Sequence, residues 1–171
     1  MFQRNTSDLG KEVRCQLNEC NIIPFAPNLV SCCIDEYRPG RFQGRLYCSN
    51  VKETYRFEDM NNMLLRMDDY FDEMNFPMKA MEQRSFPGSQ QRTQVKRALK
   101  KAYDPGILAH RGKKATFIIH VQYRQNCSWQ GRIVWADQNK AQCFRSELEM
   151  IRLIDSALAE DVYNKEALPN R

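Results

Sequence analysis

A chain of 171 residues, 42% hydrophobic and 11% aromatic, carries enough apolar side chain to bury a core, which excludes disorder of the whole. It has no uncharged apolar run of the roughly 18 residues that a spanning helix needs. Its start, Met1-Phe2-Gln3-Arg4-Asn5, lacks the apolar stretch of a secretion signal, so a cytoplasmic protein with no membrane partner is expected. The formal charge of +5 is unevenly placed: residues 84–114 hold nine Lys and Arg against one acid, Asp104, a net +8, and the rest of the chain is at −3.

Residues 1–24 show a weak helical pattern through Leu9, Val13 and Leu17, ended by Pro24 and Pro27. Residues 25–78 read as strand, strand, strand and helix. Val30, Cys32 and Ile34 come first, then Phe42, Gly44, Leu46 and Cys48, then Thr54 to Phe57, then a helix from Asp59 to Met74. Residues 79–114 form a basic connector. Within it Arg92 to Tyr103 has a helical period, stopped by Asp104-Pro105-Gly106.

Residues 115–162 repeat the strand and helix plan. Thr116 to Tyr123 alternates as a half-buried strand, and Trp129 to Trp135 forms a second, with Trp129, Gly131, Ile133 and Trp135 on one face. A short third strand runs from Gln142 to Phe144. Ser146, with Glu149 three residues on, is a capping box that starts a helix running to about Asp161. Residues 163–171 have no period and are expected to be a flexible tail.

The two similar stretches are in register at a spacing of 87 positions. Phe42-Gln43-Gly44-Arg45-Leu46 recurs as Trp129-Gln130-Gly131-Arg132-Ile133, and Phe57 as Phe144. Met63, Leu64, Met67, Asp68 and Phe71 recur as Met150, Ile151, Ile154, Asp155 and Leu158. An internal duplication is the simplest source of a match that survives through both strand and helix. One such unit buries little apolar surface alone, so two should pack together. The expected fold is α+β: two tandem β-β-β-α repeats packed about a pseudo-twofold and joined by a basic helical connector. They would make either one six-stranded sheet with both helices on one face, or two facing sheets.

The connector is the first candidate for function. Arg92, Lys96 and Lys100 fall on one line of its helix with Arg97 and Lys101 beside them, while Val95, Ala98, Leu99 and Ala102 fill the other side. A cationic stripe of this kind suits a phosphate backbone, and Arg111, Lys113 and Lys114 extend it. It also suits a solvated linker. Arg45 and Arg132 come second, sharing the outward faces of equivalent strands with Gln43 and Gln130, where an arginine fork can take phosphate or carboxylate. The plainer reading is that Gly44 and Gly131 admit a close backbone approach or a bulge, and that the arginines face water or a cross-strand acid. Tyr47, Tyr55, Tyr123 and Trp135 would stack on bases if exposed.

Catalysis and metal binding find little support. Two histidines without a nucleophile signature make no triad, and seven glycines include no phosphate loop. Cys15, Cys20 and the vicinal Cys32-Cys33 lack the spacing of a zinc knuckle, because neighbours on a strand point to opposite faces. No cofactor or metal is expected, and the seven cysteines read as reduced, mostly buried thiols. Asp68, Asp69, Asp72 and Glu73 crowd one helix and read as a solvated face, with a hard-cation site as the rival.

Gln125-Asn126-Cys127-Ser128-Trp129-Gln130-Gly131, then Phe144-Arg145-Ser146-Glu147-Leu148-Glu149 and Leu153-Ile154-Asp155, resemble a pattern shared by small bacterial proteins of clostridia and other Firmicutes that have no assigned activity. The resemblance covers the second copy well and the first loosely, since Phe42 stands for the tryptophan and Asp59 for the serine. It implies no chemistry. By analogy with the mobile elements of such bacteria, it implies an accessory regulator or an anti-defence protein such as an anti-CRISPR.

The expectation is therefore a non-enzymatic protein that contacts nucleic acid or a ribonucleoprotein complex, plausibly inhibiting a nucleic-acid-directed machine. A protein-interaction scaffold and a metal-dependent nuclease using Asp68 and Asp72 are the alternatives.

Overall fold

The structure, a computed structural model, describes residues 26–81, 84, 86, 87 and 106–166. Six strands form one antiparallel sheet: β1 (Leu29–Arg38), β2 (Arg41–Cys48), β3 (Val51–Phe57), β4 (Ala115–Tyr123), β5 (Gln130–Trp135) and β6 (Lys140–Phe144). Their order across it is β3-β2-β1-β4-β5-β6. Helix α1 (Met60–Met74) follows β3 and helix α2 (Glu147–Glu166) follows β6. Of the two sheet arrangements open to the sequence, the continuous one is found. The expected helical segments at residues 7–20 and 92–103 lie outside the described residues.

Both helices pack on the same face. Met63, Met67, Tyr70 and Phe71 of α1 and Met150, Ile154, Ala157 and Leu158 of α2 join one buried cluster with Val30, Cys32, Ile34, Phe117, Ile119 and Val121 of the central strands. Local chemistry sets the helix starts. Asp59 accepts the Asn62 backbone N–H (2.7 Å) at the head of α1, and Ser146 accepts that of Glu149 (3.1 Å) at the head of α2. At the other end of α1, Asn75 adopts φ 52°, the left-handed conformation that closes a helix, and donates to the Asp72 carbonyl. Helix α2 runs five residues beyond the expected end near Asp161, so the region read as a tail begins in helix.

The opposite face is also covered, at its centre. A 3-10 turn, Ile107–Ala109, that the sequence did not announce lays Ile107 and Leu108 against Leu29, Ile118 and Val134. This corrects the expectation that Thr116 to Tyr123 is half-buried: every residue from Ala115 to Val121 is buried, because β4 is a central strand roofed on both sides.

The register across the sheet's centre places Ser31 opposite Ile118, two residues that are themselves 87 apart, with Val30 opposite Ile119 and Cys32 opposite Phe117. Each half carries a bulge at the matching place, between Ile34 and Glu36 and between Val121 and Tyr123. At each bulge the facing residue is glycine. A Cβ on Gly44 would stand 2.0 Å from the Cys33 carbonyl oxygen, and one on Gly131 would stand 2.0 Å from that of His120. Both glycines are therefore required by close backbone approach.

Candidate nucleic-acid interface

Alternation along β1 places Cys33 and Asp35 on the second face, where β2 presents Arg45 opposite Cys33. The guanidinium donates Nε to Asp35 Oδ2 (2.7 Å) and Nη2 to Asp35 Oδ1 (2.9 Å), a two-pronged pair. It also donates to the Tyr47 hydroxyl (2.8 Å) and the Arg111 carbonyl (3.1 Å). Those hydrogen bonds hold the Asp35 carboxyl below the ordinary carboxylate range and raise Arg45 further still. Of the two readings of Arg45, the plainer one, a cross-strand acid, is found, and the pair fastens the connector's end to the sheet through the Arg111 carbonyl.

That fastening continues through the backbone. Lys113 N–H donates to Asp35 Oδ1 (3.2 Å) and Lys114 N–H to the Ile34 carbonyl (2.9 Å), while both lysine side chains are exposed. Arg111 folds back, donating to the carbonyls of Leu108 (2.6 Å) and His110 (2.8 Å). His110 stacks on Tyr47 with ring centroids 3.6 Å apart and planes 7° from parallel. The connector thus ends in a fixed track whose two lysines face water.

Sequence reasoning missed the neighbours of that track. β1 runs three residues past Asp35, about 10 Å at the rise of a strand, to Arg38. Arg38 pairs in register with Arg41 across the Pro39-Gly40 turn, and both arginines are exposed. A polar cleft of about 180 Å³ lies among Glu36, Arg38, Arg41 and Gln43. The signal was present as two arginines flanking a Pro-Gly turn. Only the antiparallel pairing of β1 with β4 brings Arg38 and Arg41 to the same end of the sheet as Lys113 and Lys114.

Arg132 shares the second face with Arg45 but not its site. Two strands separate β2 from β5, about 15 Å at ordinary strand spacing. Arg132 sits opposite His120 and Cys143. Gln130 is structural, bonding the Gln125 backbone N–H and the carbonyls of Gln125 and Ser128 in the turn before β5. Of the aromatic residues considered for stacking, Tyr123 is 57% exposed and Trp135 is buried. Arg92, Lys96, Arg97, Lys100 and Lys101 lie outside the described residues.

The acid cluster is a correction. Asp68 and Asp72 are not simply solvated: Arg124, only 4% exposed, donates Nη2 to Asp68 Oδ1 and to Asp72 Oδ1 (2.6 Å). Lys79 reaches Asp72 (2.6 Å) and Asp68 (3.2 Å) from the other side. Two cations therefore occupy the oxygens that a nuclease would offer to a metal. Among the described residues no three His, Cys, Asp or Glu side chains gather as a metal site. Burial pushes the Cys33 thiol up to about 11 and Cys32 well above its ordinary value, so neither is a ready thiolate. No described helix is long and apolar enough to cross a membrane.

No family model, curated protein or solved structure matches this chain.

Proposed function

We propose that the protein is a non-enzymatic binder of nucleic acid or of a nucleoprotein complex, built as two tandem β-β-β-α repeats about a pseudo-twofold. The exposed cations Arg38, Arg41, Lys113 and Lys114 at one end of the sheet carry this reading. Among the described residues none of their side chains is tied into an ion pair, and the Lys113 backbone N–H is held by Asp35. Lys113 and Lys114 close the +8 segment of the sequence, and with Arg38 and Arg41 they would offer one cationic track at this end of the sheet. Phosphate contacts would position the ligand on it, each releasing condensed counterions. Inhibition of a nucleic-acid-directed machine, in the manner of an anti-CRISPR, is one activity such a track could serve.

The repeat is supported by the central pair Ser31 and Ile118, the matching bulges and the matching glycines.

Fluorescence anisotropy with labelled DNA and RNA at two salt concentrations tests the reading. Losing the four charges in R38E/R41E/K113E/K114E should weaken binding and cut the salt slope by up to about 0.9 per phosphate contact removed. A second variant reversing Arg92, Lys96, Arg97, Lys100 and Lys101 tests the connector helix. Undiminished affinity in both variants rejects the assignment.

One observation favours a protein-interaction scaffold as the second reading. Phe76, Met78 and Met81, following α1, are 45%, 70% and 55% exposed. Salt-insensitive capture of a protein partner, lost in M78S/M81S, would support it.

A further inference from the structure

The polar cleft of about 180 Å³ at the tip of β1 and β2 holds chemistry that a site for bare phosphate does not need. Arg38 pairs in register with Arg41, and two residues further in, on the same face, Glu36 pairs with Gln43. The residue between the two pairs on β1, Tyr37, points the other way and packs against the core. Glu36 is therefore flanked by cations. Arg38 and Arg41 lie about 7 Å along the strand towards the tip, and Lys113 is held through its N–H by Asp35, one residue back.

Among the described residues no hydrogen bond or ion pair engages the side chain of Glu36 or of Gln43. The second half shows how such a glutamine is otherwise used. Gln130, which stands 87 positions after Gln43, donates to the Gln125 and Ser128 carbonyls and accepts from the Gln125 N–H in the turn before β5. The two-residue turn Pro39-Gly40 offers Gln43 no such partners, so its amide stays in the cleft beside the Glu36 carboxylate.

A carboxylate among these cations repels a bare polyanion, yet it accepts a hydrogen bond from any ligand that carries a donor between its phosphates. A nucleic-acid strand alternates phosphate with sugar, and only ribose has a 2′-hydroxyl to donate there. The cleft has room for one sugar, since a cavity of about 150 Å³ already admits a benzene ring. We propose that the track selects RNA over DNA: Glu36 accepts the 2′-hydroxyl of a ribose whose neighbouring phosphates meet Arg38, Arg41 and Lys113, and the Gln43 amide contacts the same sugar. The inference rests on the nucleic-acid reading above and names the group that discriminates.

The probes are three labelled single-stranded oligouridylates of about 12 nucleotides, alike in base and different in sugar: ribose, 2′-deoxyribose and 2′-O-methylribose. The last keeps the oxygen and loses the donor. Fluorescence anisotropy with the full chain at low salt should show the ribose form bound at least about tenfold more tightly than the other two. E36A should bring all three within about twofold of one another, the deoxy form gaining affinity as the repelling charge goes. Glu36 is exposed, so the circular dichroism spectrum of E36A should match the parent. Equal binding of the three by the parent overturns the proposal. A 2′-O-methyl form that matches the ribose form does so too, because strand shape and not the donor is then read. A ribose preference undiminished in E36A also overturns it. In each of these cases salt-dependent binding survives and the nucleic-acid reading stands. Absence of binding to all three overturns the selectivity, and the broader reading falls with it only where the DNA and RNA titrations above fail as well.

Discussion

The Tyr37 hydroxyl donates to Asp155 Oδ1 at 3.1 Å, reaching from β1 to the helix of the other half. Moving both residues by 87 gives the contact between Arg124 and Asp68, now from the end of the β4 arm to α1. Strand and helix are thus tied crosswise in both directions, by a phenol in one case and a guanidinium in the other. The two contacts correspond in position and differ in chemistry.

That difference in chemistry sets unequal costs. Arg124 is buried between two carboxylates and lies 5.8 Å from the centre of the Phe71 ring. Removing it in R124M strips Asp68 and Asp72 of their buried guanidinium, and loss of one partner from a buried ion cluster costs about 3–5 kcal/mol. Y37F deletes one part-buried hydrogen bond, worth about 1 kcal/mol. Urea denaturation of both variants should show the larger loss in R124M. Equal losses would mean that the cluster gives no more than an ordinary hydrogen bond.

The glycines provide a second contrast. In G44A and G131A the new methyl meets a backbone carbonyl of the adjacent strand at 2.0 Å, and neither strand can yield without opening the bulge. Each should destabilise well beyond the ~1 kcal/mol typical of single substitutions. Gly40 has φ 75° in the β1–β2 turn but no atom within 4 Å of a built Cβ, so G40A incurs only the left-handed strain of about 1–2 kcal/mol. Thermal melts should rank G44A and G131A together and below G40A. A mild G131A beside a severe G44A would break the equivalence of the two bulges.

Much of this architecture was legible in the sequence, because strand alternation, the capping box at Ser146 and the acid cap at Asp59 are local signals. The 87-residue match added the expectation of one six-stranded sheet with both helices on one face as one of two arrangements, and the sheet is found. What stayed hidden depends on pairing over long distances. Asp35 became a clasp only because the β1–β2 register sets Arg45 opposite Cys33, and Arg124 became buried only because β4 ends against α1. Ile107 and Leu108 roof the second face from a turn too short to show a period. The same limit applied to the site: Arg38 and Lys113 are 75 positions apart and share an end of the sheet through the β1 to β4 register.

Acid should weaken the fold in two separable windows. His120 is buried on the second face, opposite Leu29 of β1 and Arg132 of β5. Burial, helped by Arg132, lowers its folded value below the ordinary 6.5. Below about pH 6.5 the unfolded chain takes up a proton that the folded imidazole declines, so stability falls as pH drops, at no more than about 1.4 kcal/mol per pH unit. Asp35 acts lower down. Its folded value is depressed by Arg45, so its contribution is complete above the unfolded carboxylate range and is lost as pH falls through the folded value. Asp137, raised by burial, has the opposite sign and blunts that lower limb. Urea midpoints measured from pH 7 to 2 should therefore show H120Q flattening the slope between about pH 6.5 and 5. D35N should flatten only the region below about pH 4, despite its lower stability at neutral pH. A parent curve that is level from pH 7 to 5, or an upper slope that survives H120Q, would place the titrating group elsewhere.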